Sequence, residues 1–329
     1  QTGGSPIDWV MKAEGVSFRH AVEILRAEHF PTAPSLDTPQ RSTVPKLATP
    51  VDLDADDREL LGQELGYYHQ TLKESPEALG YLEKRGLVHP ELVDRFRLGY
   101  ANRTLGYRLP AMNRKAGQEI RTRLQKLGVL RDSGQEHLNG SLVVPILGEG
   151  GEALGAYGRK ITPAHQLRAG TPLHLYLPGP HRGVFNVEAL VSSKEVILCE
   201  SLIDALTFWC AGFRNVTASY GVEGFTHDHL AAFKAYGTEH ALIAYDRDEA
   251  GDKAAESLAK KLTAEGIGCS RVQFPKGMDA NEYALKVQPA GKALGLLLRT
   301  AAWMGNGKRP ESVTTLARAA AAAPSPAEA

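Results

Sequence analysis

The chain has 329 residues, 43% of them hydrophobic and 23% charged, with 38 Lys/Arg against 38 Asp/Glu. That is enough for two domains, or three small ones, with full cores, and it argues against a histone-like or polybasic protein. No apolar run reaches membrane length and no signal peptide is read in these residues; the chain starts at Gln1, so the native N-terminus is expected to lie ahead of it. Cys199, Cys210 and Cys269 form no CxxC pair and read as reduced core thiols, which favours a cytoplasmic location. The overall balance hides one asymmetry: Tyr81 to Ser133 holds twelve Lys/Arg against five acids. A basic stretch of this kind suits a phosphate backbone and equally suits a solvated surface.

In chain order, Ile7 to His29 reads as two short helices broken near Gly15. Five prolines among Ser and Thr make residues 31–50 a linker. Asp52 to Lys73 looks helical, and Ser75-Pro76-Glu77 caps a helix that Gly86 stops. His89 to Phe96 is a short helix, Leu98 to Ala101 a short strand and Glu119 to Leu127 a helix. Leu142 to Leu147 and Ala153 to Ile161 are strands joined by Gly148-Glu149-Gly150-Gly151, and loop is expected from there to Gly183.

From Glu195 strands and helices alternate. Strands are expected at Val196–Cys199, Val216–Ser219, Ala241–Tyr245 and Ser270–Phe274, with helices at Leu202–Ala211, His227–Tyr236 and Glu249–Leu262. This alternation predicts a parallel sheet covered on both faces. Helices follow at Asp279–Val287 and Ala290–Met304, then a frayed tail from residue 305. Trp9, Trp209 and Trp303 are expected on apolar helix faces. The fold class is therefore α/β, an α+β basic subdomain followed by a parallel-sheet domain.

Two of these strands end in acids. The apolar run to Tyr245 gives way to Asp246-Arg247-Asp248, and Val196–Cys199 ends at Glu200, with Asp204 one helical turn on. Asp279 leaves the same sheet edge after the last strand. Open α/β sheets place their sites at this edge. Clustered carboxylates repel unless a cation such as Mg²⁺ or Mn²⁺ joins them. The competing reading of Asp246 and Asp248 is an acid-rich helix start favoured by the helix dipole. Arg247, between them, is placed to balance their charge.

Strand-Glu200-x-x-x-Asp204-helix followed by strand-Asp246-x-Asp248-x-x-Gly251 resembles the TOPRIM fold of bacterial primases, topoisomerases and several nucleases. Tyr81-Leu82-Glu83-Lys84-Arg85-Gly86-Leu87 with Arg95-Phe96-x-x-Gly99-Tyr100 resembles the start of the bacterial DnaG-type primase RNA-polymerase core. Val143-Val144-Pro145-Ile146, Leu154-Gly155-Ala156-Tyr157-Gly158-Arg159 and His181-Arg182-Gly183 resemble that family's basic strand and loop. Gly3 to Val10 resembles the segment after the family's zinc ribbon.

The resemblance implies residues 1–30 as a helical remnant behind a zinc-ribbon domain, 31–50 as linker and 51–190 as the basic subdomain of the core. It implies a TOPRIM domain over 191–288, a C-terminal helix over 289–304 and a flexible tail over 305–329. It implies template-directed synthesis of short RNA primers on single-stranded DNA, with Glu200, Asp246 and Asp248 catalytic. Mg²⁺ or Mn²⁺ would be held by Glu200, Asp204, Asp246, Asp248 and Asp279, and Zn²⁺ enters only with a ribbon ahead of Gln1. Arg159, Lys160, Arg182, Arg95 and His174 would hold nucleotide or nucleic-acid phosphates. Partners would be single-stranded DNA, nucleoside triphosphates and a replicative helicase, with no membrane, in a bacterium, phage or mobile element.

Three departures stand out. His137-Leu138-Asn139-Gly140-Ser141 replaces a basic run, His174 stands where a lysine is expected, and Asn281 replaces a second carboxylate after Asp279. Asparagine still ligates through its carbonyl but adds no charge. A TOPRIM nuclease and a primase-like nucleic-acid-binding module without catalysis are the alternatives.

Overall fold

The structure is a computed structural model that describes residues 5–29 and 47–305. Most of the expected linker and tail lie outside those residues. In chain order the elements are α1 (Pro6–Glu14), α2 (Phe18–His29), α3 (Asp57–Lys73), α4 (Pro76–Lys84), α5 (Leu92–Arg95), β1 (Gly99–Tyr100), α6 (Leu105–Arg108) and α7 (Lys115–Lys126). They continue as β2 (Ser141–Leu147), β3 (Ala153–Lys160), a 3-10 turn (Ala164–Gln166), β4 (His174–Tyr176), α8 (Glu188–Ser192), β5 (Glu195–Cys199), α9 (Leu202–Cys210) and β6 (Val216–Ala218). The last are α10 (His227–Ala235), β7 (His240–Ala244), α11 (Glu249–Ala264), β8 (Gly268–Arg271), α12 (Ala280–Lys286), α13 (Ala290–Arg299) and β9 (Ala302–Trp303).

The chain forms two compact units. The first takes residues up to Leu72, Gly99–Val143 and Gly158–Pro178; the second takes Lys73–Leu98, Val144–Tyr157 and the chain from Gly179 onward. Strands β1 to β4 form one sheet in that order, with β1 antiparallel to β2 at Gly99↔Val143.

In the first unit, α1 and α2 are the two helices the sequence predicts. Ser5 caps α1, its hydroxyl accepting from the Asp8 N–H at 3.2 Å while Asp8 accepts the Ser5 N–H at 2.8 Å. Trp9 is not a core residue: it lies on the solvent side of α1, 69% exposed, while Val10 is buried. Arg123 on α7 ties that helix to the start of α3, donating to Asp57 at 3.1 Å and to the Leu53 carbonyl at 3.0 Å. Helix α7 starts at Lys115, four residues before the expected Glu119; its first turn is polar and has no side-chain cap, so nothing in the sequence marks its start.

Within this unit Glu64 and Glu136 are buried, with the Tyr68 hydroxyl facing both carboxyls. Burial raises the pKa of Glu64 well above that of an ordinary glutamate, helped by the charge of Glu136. Burial pushes Glu136 up to about 7, although it accepts the Leu105 N–H at 3.1 Å.

The second unit holds a five-stranded sheet of order β6-β5-β7-β8-β9. The first four strands are mutually parallel, with Ile197↔Leu242 and Leu242↔Ser270 in register. One face packs Val196, Leu198, Ala241, Ile243 and Tyr245 against Phe233 of α10 and Ala255, Leu258 and Leu262 of α11. Helix α9 lies against β5 and β6, and α12 against α9. Trp209 on α9 is buried as expected.

The C-terminal part differs from expectation. The helix begun at Ala290 ends at Arg299, and Ala302–Trp303 then adds an antiparallel edge strand to β8, with Ser270↔Trp303. Strand β8 also begins and ends earlier than the polarity of Ser270–Phe274 suggests. At Gly268 a Cβ would lie 2.9 Å from the Trp303 ring, so only glycine lets that indole cross the strand.

Two measurements test these assignments. A buried carboxyl whose folded pKa exceeds its unfolded value retains a proton that the unfolded chain releases, so stability falls as pH rises from about 4.5 to about 7. Glu136→Gln is therefore expected to raise the Tm at pH 8, by the equivalent of ~3 kcal/mol at most, and not at pH 4. Thermal melts across pH 4–8 check it; an equal shift at both ends contradicts it. Gly251→Ala places a Cβ 2.3 Å from the Asp246 carbonyl oxygen. It is expected to lower stability by about 1–3 kcal/mol in urea melts.

Candidate metal centre

The five acids reach one sheet edge by three routes. Strands β5 and β7 both finish in apolar residues, and their register, Cys199↔Ala244, brings Glu200 and, one residue further on than its counterpart Tyr245, Asp246 to the same sheet edge, where each charge acts on the other. Ser201 caps α9, and this puts Asp204 in its first turn: the Ser201 hydroxyl accepts from the Asp204 N–H at 3.2 Å and donates to Asp204 Oδ2 at 2.6 Å. Asp248 caps α11 by accepting the Gly251 N–H at 2.7 Å, and Asp279 caps α12 by accepting the Glu282 N–H at 2.6 Å. The helix-start reading of Asp248 is thus correct, and a carboxylate that caps with one oxygen keeps the other available.

These acids feel one another. Asp246 is pushed up to about 8, first by burial and then by the charges of Asp204, Glu200, Asp279 and Asp248. Asp204 is pushed up to about 7 by burial and by Asp279, and Glu200 is raised by burial and by Asp248. Glu200 Oε2 is buried with no hydrogen-bond partner. A shared set of hard oxygens and an orphaned buried carboxylate atom fit a divalent cation. Among the described residues no three His, Cys, Asp or Glu side chains are drawn together as a ready cage.

Arg271 supports the site, and sequence reading missed it. It lies in β8 only 5% exposed. Its guanidinium donates to the carbonyls of Ile243 at 3.2 Å, Tyr245 at 2.8 Å and Asp246 at 2.8 Å, and to Asp252 at 3.0 Å. Arg247 does not balance Asp246 and Asp248; it pairs with Asp252 at 2.8 Å. Despite partial burial, Arg271 and Arg247 hold the Asp252 carboxyl below the usual carboxylate range. The backbones of the two acid-bearing loops also meet, the Gly277 N–H donating to the Arg247 carbonyl at 3.0 Å. A lone arginine within a strand expected in a sheet covered on both faces is the signal that could have found Arg271, since burying an unpaired charge is prohibitive.

Asn281 is 1% exposed and its carbonyl accepts from Arg85 at 3.0 Å, so that oxygen already has a cationic donor.

The basic residues divide between the units. In the first, Arg159 donates to His174 and Lys160 is buried, its ammonium donating to the Asn139 carbonyl and, at 3.3 Å, to Asn139 Oδ1. Burial, then the charges of Arg103 and Arg131, push Lys160 down to about 8. In the second, Arg182 is exposed and Arg95 forms an ion pair with Glu188. Lys160 and Arg95 are therefore engaged within the chain. Arg103 and Arg131, which were not singled out in the sequence, add to the charge around Lys160.

Residues 67–185 match the N-terminal domain of the DNA primase catalytic core, and residues 197–284 match the Toprim-like family. The DNA primase of Campylobacter jejuni subsp. jejuni is 26% identical over 295 residues, covering 87% of this chain and 46% of that protein. The chain spans about half the length of the curated relatives it matches. The zinc-binding and RNA polymerase domains of the Aquifex aeolicus primase share the fold, with a TM-score of 0.62 at 22% identity over 92% of this chain and 72% of that one. A DnaG primase catalytic domain bound to single-stranded DNA gives a TM-score of 0.61 at 24% identity over 75% of this chain and 79% of that one. With a domain matching the N-terminal part of the DNA primase catalytic core first, a Toprim-like domain second and relatives named DNA primase aligned across most of the chain, the protein carries the two domain types of a DnaG-type primase core in the same order.

Proposed function

We propose that this chain is the nucleotidyl-transferring core of a primase, making short RNA primers on single-stranded DNA. The observation that carries this reading is the delivery of Glu200 and Asp246 to one sheet edge from the neighbouring strands β5 and β7, with Asp204, Asp248 and Asp279 within electrostatic reach. Glu200, Asp246 and Asp248 would hold one Mg²⁺ or Mn²⁺, and Asp204 with Asp279 would hold a second. Bound there, the ions supply positive charge to a nucleoside triphosphate and to the 3′-hydroxyl that attacks its α-phosphorus as pyrophosphate leaves. The chain's own contribution is to keep those oxygens at one edge. Arg271 fixes the strand end that carries Asp246, and the three helix caps orient Asp204, Asp248 and Asp279.

Arg159, His174 and Arg182 are assigned to nucleotide or template phosphates. Single-stranded DNA as template follows the relative solved with it. The helicase partner and a cytoplasmic location complete the proposal; the three free thiols accord with the location. A second reading, a nucleic-acid-binding module without catalysis, draws on one observation: Lys160 and Arg95 are spent inside the chain.

Incubation with single-stranded template, labelled nucleoside triphosphates and Mn²⁺ or Mg²⁺ separates these readings. Oligoribonucleotides are expected, and Asp246→Ala and Glu200→Ala are each expected to reduce them by about 100-fold or more. Template binding without synthesis favours the binding module, and template cut without synthesis indicates a nuclease. Arg159→Ala and Arg182→Ala are expected to weaken template binding and to flatten its log–log salt dependence by about 0.7 per cation removed. Lys160→Ala is expected to lower the Tm with no change in that slope, as salt titrations beside thermal melts would reveal.

A further inference from the structure

Asn281 sits in the first turn of α12, two residues beyond Asp279, where its side chain is read from sequence as a weak, uncharged ligand. Its surroundings assign it differently. The backbone N–H donates to Asp204 Oδ1 at 3.0 Å. Nδ2 donates to the Arg85 carbonyl and to Thr207 Oγ1, both at 2.8 Å, and Oδ1 accepts from Arg85 Nη1 at 3.0 Å. The amide can face only this way, since a guanidinium only donates and a backbone carbonyl only accepts. The Thr207 hydroxyl spends its own proton on the Ile203 carbonyl at 2.9 Å, so it must receive from Asn281. A carboxylate at position 281 would have no proton for either acceptor and would turn an oxygen towards the Arg85 carbonyl.

Asn281 therefore grips α9 twice, at Asp204 through its backbone and at Thr207 through its side chain, and grips the end of α4 at Arg85. We infer that Asn281 is a positioning residue of the metal centre and not a ligand, its side-chain amide setting the first turn of α12 so that its own N–H holds Asp204 and Asp279 comes to the same edge. The inference rests on the reading of Asp204 and Asp279 as metal ligands. It requires that the amide and its partners, and not negative charge at position 281, govern metal affinity.

The test is Mn²⁺ titration of the full chain by electron paramagnetic resonance, with thermal melts of each variant to confirm that it is folded at the titration temperature. Asn281→Asp, which adds a charge but removes two donors, and Asn281→Ala are both expected to weaken Mn²⁺ binding by about tenfold or more, the loss typical of groups that orient metal ligands. Thr207→Val, which keeps shape and removes the acceptor, is expected to weaken it in the same direction by less. Tighter binding by Asn281→Asp makes Asn281 a ligand site and overturns the inference. Wild-type affinity in Asn281→Ala and Thr207→Val, with only the Tm lowered, also overturns it. Failure of the metal reading looks different: wild type and Asp204→Ala would then take up Mn²⁺ alike.

Discussion

Mutual repulsion among five carboxylates is the constraint to which the second unit is built. Glu200, Asp204, Asp246, Asp248 and Asp279 would move apart if their backbones allowed it, so the fold must hold them by bonds that do not depend on a cation. It uses the parallel register of β5 and β7 for two of them and helix caps for the other three. It sets a permanent positive charge, Arg271, behind the strand end carrying Asp246 and neutralises part of that charge with Asp252. Asp252 thus belongs to the scaffold, although it lies only four residues beyond Asp248.

Much of this was legible in the residue order. Apolar runs ending in acids locate the sheet edge whatever the partners of those runs are, because a period-two or continuous apolar strand must be buried and its polar end must leave the sheet. What sequence could not supply was the hydrogen-bond partner of each polar group. Arg247 was assigned to its neighbours Asp246 and Asp248, yet the helix turn brings Asp252 to it. Asn281 was judged by its missing charge, while its partners Arg85 and Thr207 lie 196 and 74 residues away. Trp9 was given to the core by hydrophobicity alone, though its neighbour Val10 is the residue that faces inward. Each of these depends on contacts distant in the chain or on which side of a short helix is covered.

The basic residues show the same limit. Twelve cations between Tyr81 and Ser133 mark a charged stretch, but charge does not say which side chains are at liberty to meet a phosphate. Lys160 is buried on Asn139 and its pKa is depressed, whereas Arg159 and Arg182 remain accessible in part or in full. A carbonyl pair from Asn139 thus occupies the one ammonium that the motif would have offered first.

Strand β9 carries a consequence of a different kind. Any open sheet has outer strands whose free N–H and C=O groups can recruit another chain. On one side this sheet ends in β6, three residues long; on the other the border strand is β9, two residues long and antiparallel to its neighbour. Without β9, the flank of β8 would be exposed beside a buried arginine and a glycine with no side chain to obstruct an intruder. The Trp303 indole, laid across Gly268 at the start of β8, closes that flank to self-templated pairing between molecules.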